Sequence, residues 1–185
     1  MNTDTSHARR AAITHILLML ALIWAVGVAF GFGFLFNYQT AAGQSGAIPS
    51  VFPDFSKIER KSDCPTLIMF AHPRCPCTRA SVDELAKVMT RLQEQVLAHV
   101  VFYVPETMAP DWSATDLVAE ALAIPGVRVL RDIDGLETRR FGVKTSGHVL
   151  LYDNAGRLSF TGGITMARGH SGDNEGAREL LVQVT

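Results

Sequence analysis

The chain has 185 residues, 48% of them apolar, and a formal net charge of −1. That length suits one ordinary domain with a short accessory segment. The near-neutral balance lacks the basic footprint of a nucleic-acid-binding protein, so no nucleic-acid partner is expected.

From Ala11 to Phe36 (AAITHILLMLALIWAVGVAFGFGFLF), 26 residues pass without an Asp, Glu, Lys or Arg. Roughly 20 are needed to cross a bilayer as a helix. His7, Arg9 and Arg10 precede the run, and the next charge beyond it is Asp54. This asymmetry predicts a cytoplasmic N-terminus over 1–10 and a single transmembrane helix over 11–36. The remainder then faces the periplasm or cell exterior, tethered to the inner (cytoplasmic) membrane. The competing reading is a cleaved signal peptide, whose apolar stretch is usually about 7–15 residues and so shorter than this one. Thiols on that side of the membrane meet an oxidising compartment.

Residues 37–62 (NYQTAAGQSGAIPSVFPDFSKIERKS) read as a spacer, first small and polar, then carrying Pro49 and Pro53. A domain over 63–185 follows. Pro65–Phe70 is an apolar run suited to a buried strand. Val82, Leu85, Met89, Leu92 and Val96 recur at spacings of 3 and 4, which places them on one face of a helix over 78–97. Val100–Val104 suits a second strand. Ser113–Ala123 reads as a helix with Ser113 as N-cap and Leu117, Val118, Ala121 and Leu122 inward. Val127–Leu130 is a third strand, followed by a turn at Asp132–Gly135 and a short helix toward Phe141. His148–Tyr152 and Leu158–Phe160 flank Asp153-Asn154-Ala155-Gly156, a strong hairpin turn. Asp173–Val184 closes the chain as a helix. The order predicts an α/β domain with a mixed central sheet and helices on both faces.

This order and its punctuation resemble the thioredoxin-like superfamily, in particular its membrane-anchored TlpA/ResA-like branch. Phe70, Cys75, Arg79 and Leu85 fall in register with that branch's redox strand and helix. Asp132, Asp134, Gly135, Phe141, Gly142, Val143, Leu151, Asp153, Gly156 and Leu158 match its later block. The resemblance covers about 65–165. It implies a thiol–disulfide oxidoreductase without a cofactor, acting on a protein thiol or disulfide partner, with Cys75, Cys77, Thr78 and Arg79 at the catalytic site. Two departures accompany it. The second redox cysteine of the family would fall at Thr78, giving Cys-Pro-Cys-Thr. The family's cis-proline would fall at Gly147, so the surface expected to receive substrate is Ser146, Gly147 and His148. Both features, with the tail GGITMARGHSGDN, are similar to a bacterial group labelled RedB.

The chemistry of residues 70–81 (FAHPRCPCTRAS) can be read directly. Cys75 stands at a strand end and near a helix start, where unpaired N–H groups and the helix dipole favour a thiolate. Arg74, Arg79 and His72 offer further positive charge. The bland alternative is a pair of buried, inert cysteines, but Pro73 and Pro76 fix an irregular, solvent-facing turn. Cα atoms two residues apart span roughly 5.5–7 Å, which overlaps the range a disulfide tolerates. A Cys75–Cys77 bond is therefore feasible and strained, hence exchange-prone. In this reading Cys75 attacks and Cys77 resolves. Cys64 lies at the far end of the first strand, about 20 Å away if that strand is extended, and reads as a buried or edge residue.

Metal binding is the rival reading. His72, Cys75 and Cys77, with His170 or His148 from a distant loop, offer two thiolates and imidazole, a donor set suited to copper as Cu(I) or to zinc. It would make the chain a metal-delivery accessory protein. A peroxide-reducing thiol is a third option, but no Pro-x-x-x-Thr-x-x-Cys arrangement precedes either cysteine. His170 is equally well read as a solvated loop residue. Tyr103 and Trp112 fit a core or a rim, and Arg139-Arg140 a solvated helix face.

Overall fold

The computed structural model describes residues 3–41, 43 and 46–184. The first unit is one helix, α1 (Thr3–Thr40), whose stretch Ala12–Thr40 is long and apolar enough to cross a membrane. Trp24, Phe30 and Phe36 are exposed along it. A soluble helix would bury such side chains.

The second unit is built on strands β1 (Thr66–Ala71), β2 (Leu97–Val104), β3 (Val127–Ile133), β4 (His148–Tyr152) and β5 (Leu158–Gly163). They form a sheet of order β3-β2-β1-β4-β5, with β1, β2 and β3 parallel and β4 and β5 antiparallel. The central β1, TLIMFA, is buried at every position, as a strand covered on both faces must be. Helices α2 (Pro76–Leu92), α3 (Asp116–Leu122), α4 (Leu136–Arg140) and α5 (Glu175–Val184) complete the domain. Leu67, Met69, Val100 and Val149 pack with Leu85, Leu117 and Leu180 of α2, α3 and α5 on one face. Ile68, Phe70, Val101 and Leu150 pack with Ile58, Phe141 and Val143 on the other.

The mixed sheet expected from the order of elements is present, and several boundaries move. The helix expected over 78–97 ends at Leu92, because Gln93 takes φ 48° and its N–H turns back to Met89. Leu97 is then free to pair with Thr66 and open β2 earlier than expected. Ser113 lies in a short 3₁₀ turn (Pro110–Ser113), and the N-cap of α3 is Thr115, whose hydroxyl accepts the Val118 N–H. This rotation leaves Leu122 exposed, while Leu117 and Ala121 go inward.

Much of the expected spacer is part of the domain. Phe52 packs edge-on against Phe141 and Tyr152, at 5.3 Å between centroids in each case. Ile58 is buried beside them. The Phe52 N–H donates to Gly156 O and the Leu158 N–H to Ser50 O, so this strap pairs with the start of β5. The strap's apolar residues had no helical or strand period, and that is why they read as linker.

The Asp-x-Asp-Gly block proves to be scaffold. The buried Asp132 carboxylate accepts the N–H groups of Glu137 (2.8 Å) and Thr138 (2.9 Å), fixing the start of α4. Asp134 accepts the Glu106 N–H at 2.9 Å.

Candidate active site

The site lies where β1 ends and α2 begins. Cys75 is the N-cap of α2, with φ −89° and ψ 116°, and Pro76 occupies the first helical position. Proline suits that place because its missing N–H would have no partner in the helix. Cys75 is half-buried and Cys77 exposed, and both are free thiols. Burial pushes the Cys75 thiol up. The Thr78 hydroxyl, the N–H groups of Cys77 and Thr78, and the Cys77 thiol all hydrogen-bond it, and together they bring it below its ordinary value. Hydrogen bonds to the sulfur thus favour the ionised form of Cys75 and outweigh burial.

The arginines act elsewhere. Arg79 ion-pairs with Glu120 of α3. Arg74 lies over the Trp112 ring at 5.2 Å and donates to the Trp112 carbonyl at 3.1 and 3.2 Å. His72 stacks on Tyr103 at 5.9 Å and meets Trp112 edge-on at 5.6 Å. Its Nδ1 accepts the Arg74 N–H at 3.2 Å. Burial, followed by the nearby Arg74 charge, holds the His72 imidazole below its ordinary value. Tyr103 and Trp112 are therefore the rim that braces the loop before Cys75. A further brace is the Thr115 hydroxyl, which donates to the Pro73 carbonyl at 3.1 Å.

Thr78 is buried, and its Oγ1 lies 2.6 Å from Ser146 Oγ. Ser146 Oγ in turn accepts the His72 N–H at 2.8 Å. Of the three residues expected to receive substrate, Ser146 thus turns its hydroxyl toward Thr78. The Gly147 N–H donates to Phe70 O at 2.7 Å. Gly147 has φ +84°, and a Cβ there would lie 2.6 Å from Ser81 Oγ. The fixed φ of proline, about −65°, is incompatible with this backbone. His148 pairs with Phe70 across β1 and β4, and its Nε2 lies 2.9 Å from Thr161 Oγ1. Burial holds it below its ordinary value.

The loop after β5 comes back over the site. At Gly169 (φ +71°), an added Cβ would lie 3.9 Å from Cys77 Sγ. His170 follows, exposed, with Nδ1 donating to the Arg168 carbonyl at 2.8 Å. Among the described residues, no three His, Cys, Asp or Glu side chains gather into a metal-holding group. Cys64 sits at the opposite end of β1, and burial and the adjacent Asp63 push its thiol up. The glycine-rich loop around His170 was expected to approach the cysteines in this fold, and it is its Gly169 that comes against Cys77, while the exposed His170 turns to the Arg168 carbonyl.

No protein-family model and no curated protein matches the chain. Solved structures do. One is a putative thiol:disulfide interchange protein DsbE from Chlorobium tepidum, at 15% identity and TM-score 0.51, covering 78% of this chain and 99% of that one. StoA from Bacillus subtilis matches at 15% identity and TM-score 0.50, covering 76% and 98%. A hypothetical protein from Sinorhizobium meliloti matches at 21% identity and TM-score 0.53, covering 77% and 82%. The mixed five-stranded sheet, its flanking helices and these likenesses define a thioredoxin-like fold. Cys75 and Cys77 stand at the junction of its central strand β1 and helix α2.

Proposed function

We propose that this chain is a membrane-anchored, extracytoplasmic thiol–disulfide exchange protein that works through Cys75 and Cys77. The observation that supports it is Cys75 as the N-cap of α2 with the exposed Cys77 in the first turn of the helix, a placing in which the Cys75 thiol is drawn below its ordinary value. Hydrogen bonds to the charged form favour it, and the thiolate is the nucleophile of exchange.

In the reducing direction, the Cys75 thiolate attacks one sulfur of a partner's disulfide. A Cys75–partner bond forms, the partner's S–S bond breaks, and the released partner sulfur leaves as a thiolate. Cys77 then loses its proton and attacks the Cys75 sulfur, forming Cys75–Cys77 and freeing the second partner thiolate. Two electrons pass to the partner, and two protons from the dithiol end on its thiols. Oxidation of a partner dithiol is the same sequence reversed. The partner is a protein thiol or disulfide, a reading supported by the likeness to a structure named for thiol:disulfide interchange. The positive flank before α1 supports a topology with the domain outside the inner membrane. The Cys-Pro-Cys-Thr order and the tail from Gly162 support kinship with the RedB group.

The test is equilibration of the protein with a glutathione redox series, wild type against Cys77→Ser. The wild type should show a two-electron midpoint with loss of two thiols, and Cys77→Ser should stop at a glutathione mixed disulfide. Parallel titration with Cu(I) or Zn²⁺ provides the contrary result. A stoichiometric metal complex lost in Cys77→Ser, with no redox midpoint in the wild type, would overturn the proposal in favour of metal delivery.

A further inference from the structure

Thr78 and Ser146 form a chain of hydroxyls beside Cys75. One end of this chain is the His72 main-chain N–H, which can only donate. It gives its proton to Ser146 Oγ at 2.8 Å. Ser146 Oγ and Thr78 Oγ1 are 2.6 Å apart. Thr78 donates its own N–H to the Cys75 carbonyl at 3.1 Å, which keeps it in the turn beside that residue, and its side chain helps draw the Cys75 thiol down.

Each hydroxyl has one proton to donate. If Thr78 donates to the sulfur, it must accept from Ser146, and Ser146 must accept from elsewhere. The His72 N–H meets that requirement. Run the other way, Ser146 would accept twice and its own proton would have no place in the chain. The geometry therefore favours one polarity, and Thr78 is buried, where such chains polarise one another more strongly than in water.

We infer that Ser146 is a positioning residue: fixed by the His72 N–H, it orients the Thr78 hydroxyl so that its proton is directed at the Cys75 sulfur. Thr78, in the place where the related branch carries its second cysteine, is the group through which Ser146 acts. This inference deepens the exchange reading and rests on it for its biological use. Its chemistry is testable without any exchange partner.

The test uses the full-length, reduced protein. The rate of Cys75 alkylation by iodoacetamide is followed against pH, with the modified residue identified by mass spectrometry. Thr78→Val should move the profile to higher pH and slow alkylation at neutral pH by about five-fold, the order one hydrogen bond supplies. Ser146→Ala should move it the same way by a smaller factor, about two- to three-fold. The decisive arm is the double variant, which should match Thr78→Val alone, because Ser146 has nothing left to orient. Thr78→Ser, which keeps the hydroxyl, should retain the wild-type profile. Ser146→Thr, which keeps the hydroxyl on a bulkier side chain, should restore what Ser146→Ala loses.

An unchanged profile in Ser146→Ala overturns the inference. So does a Ser146→Ala effect that persists in full in the Thr78→Val background. Should Ser146→Ala fail to fold, the contrast of Thr78→Val with Thr78→Ser carries the test, and identical profiles for those two overturn it. A protein that shows these pH profiles yet has no glutathione midpoint would disprove the exchange reading and leave the hydroxyl chain standing.

Discussion

Gly147 shows how a single backbone angle can fix a residue's identity. With φ +84° and Ser81 Oγ 2.6 Å from where a Cβ would sit, the position excludes side chains twice over, by torsion and by contact. An L residue in the left-handed region costs about 1–2 kcal/mol, and proline cannot enter it at all. Gly147→Pro, which places there the proline expected from the resemblance, should therefore lower Tm more than Gly147→Ala. Thermal unfolding followed by circular dichroism checks this, and a Gly147→Pro protein as stable as wild type would contradict it. Cys75, Thr78 and Gly147 were legible as special positions from the motif alone. What they touch was not, because Ser81 and Ser146 reach the site from different elements.

Among the elements, the loop between β5 and α5 is the one whose role emerges only in three dimensions. Its far end is held to α2 by the buried Glu84, whose Oε1 accepts the Gly172 N–H at 2.7 Å and pairs with Lys87. Its near end carries Gly169 against Cys77. Losing the carboxylate removes a hydrogen bond worth about 1.5–3 kcal/mol to a charged acceptor, a loss concentrated on the loop. Glu84→Ala should accordingly speed tryptic cleavage after Arg168 several-fold. Mass spectrometry of the fragments reads the site, and cleavage there at the wild-type rate would refute the latch. The apolar spacing within α2 revealed that helix from sequence. The burial of Glu84, a charged residue on that helix, is explained by the returning loop.

At the level of the whole chain, the strap changes what counts as the domain. Ile58 is only 3% exposed and closes the second face of the sheet beside Phe141 and Tyr152. Ile58→Ala should cost about 3 kcal/mol and lower Tm on the order of 10 °C. A shift of only a degree or two in calorimetry would mean that the strap is dispensable. The strands and the amphipathic α2 could be read from sequence because their periods are local. The strap could not, because it borrows its structure from the sheet it crosses. The apolar N-terminal run was equally plain from sequence, since 26 uncharged residues in a row need no partner to be noticed.

The same strap bears on how crowded copies of this protein coexist. An open sheet offers unpaired N–H and C=O groups along its outer strands, and these can template polymerisation with a neighbouring chain. Here one border is β3, where Arg128 and Arg131 interrupt the apolar residues, and Arg128 ion-pairs with Glu59 at the end of the strap. The other is β5, whose first residue, Leu158, is already engaged by Ser50 and whose last two are Gly162 and Gly163. Neither border presents a long, flat, apolar ribbon. Neighbouring molecules thus have little opportunity to zip together through their sheets.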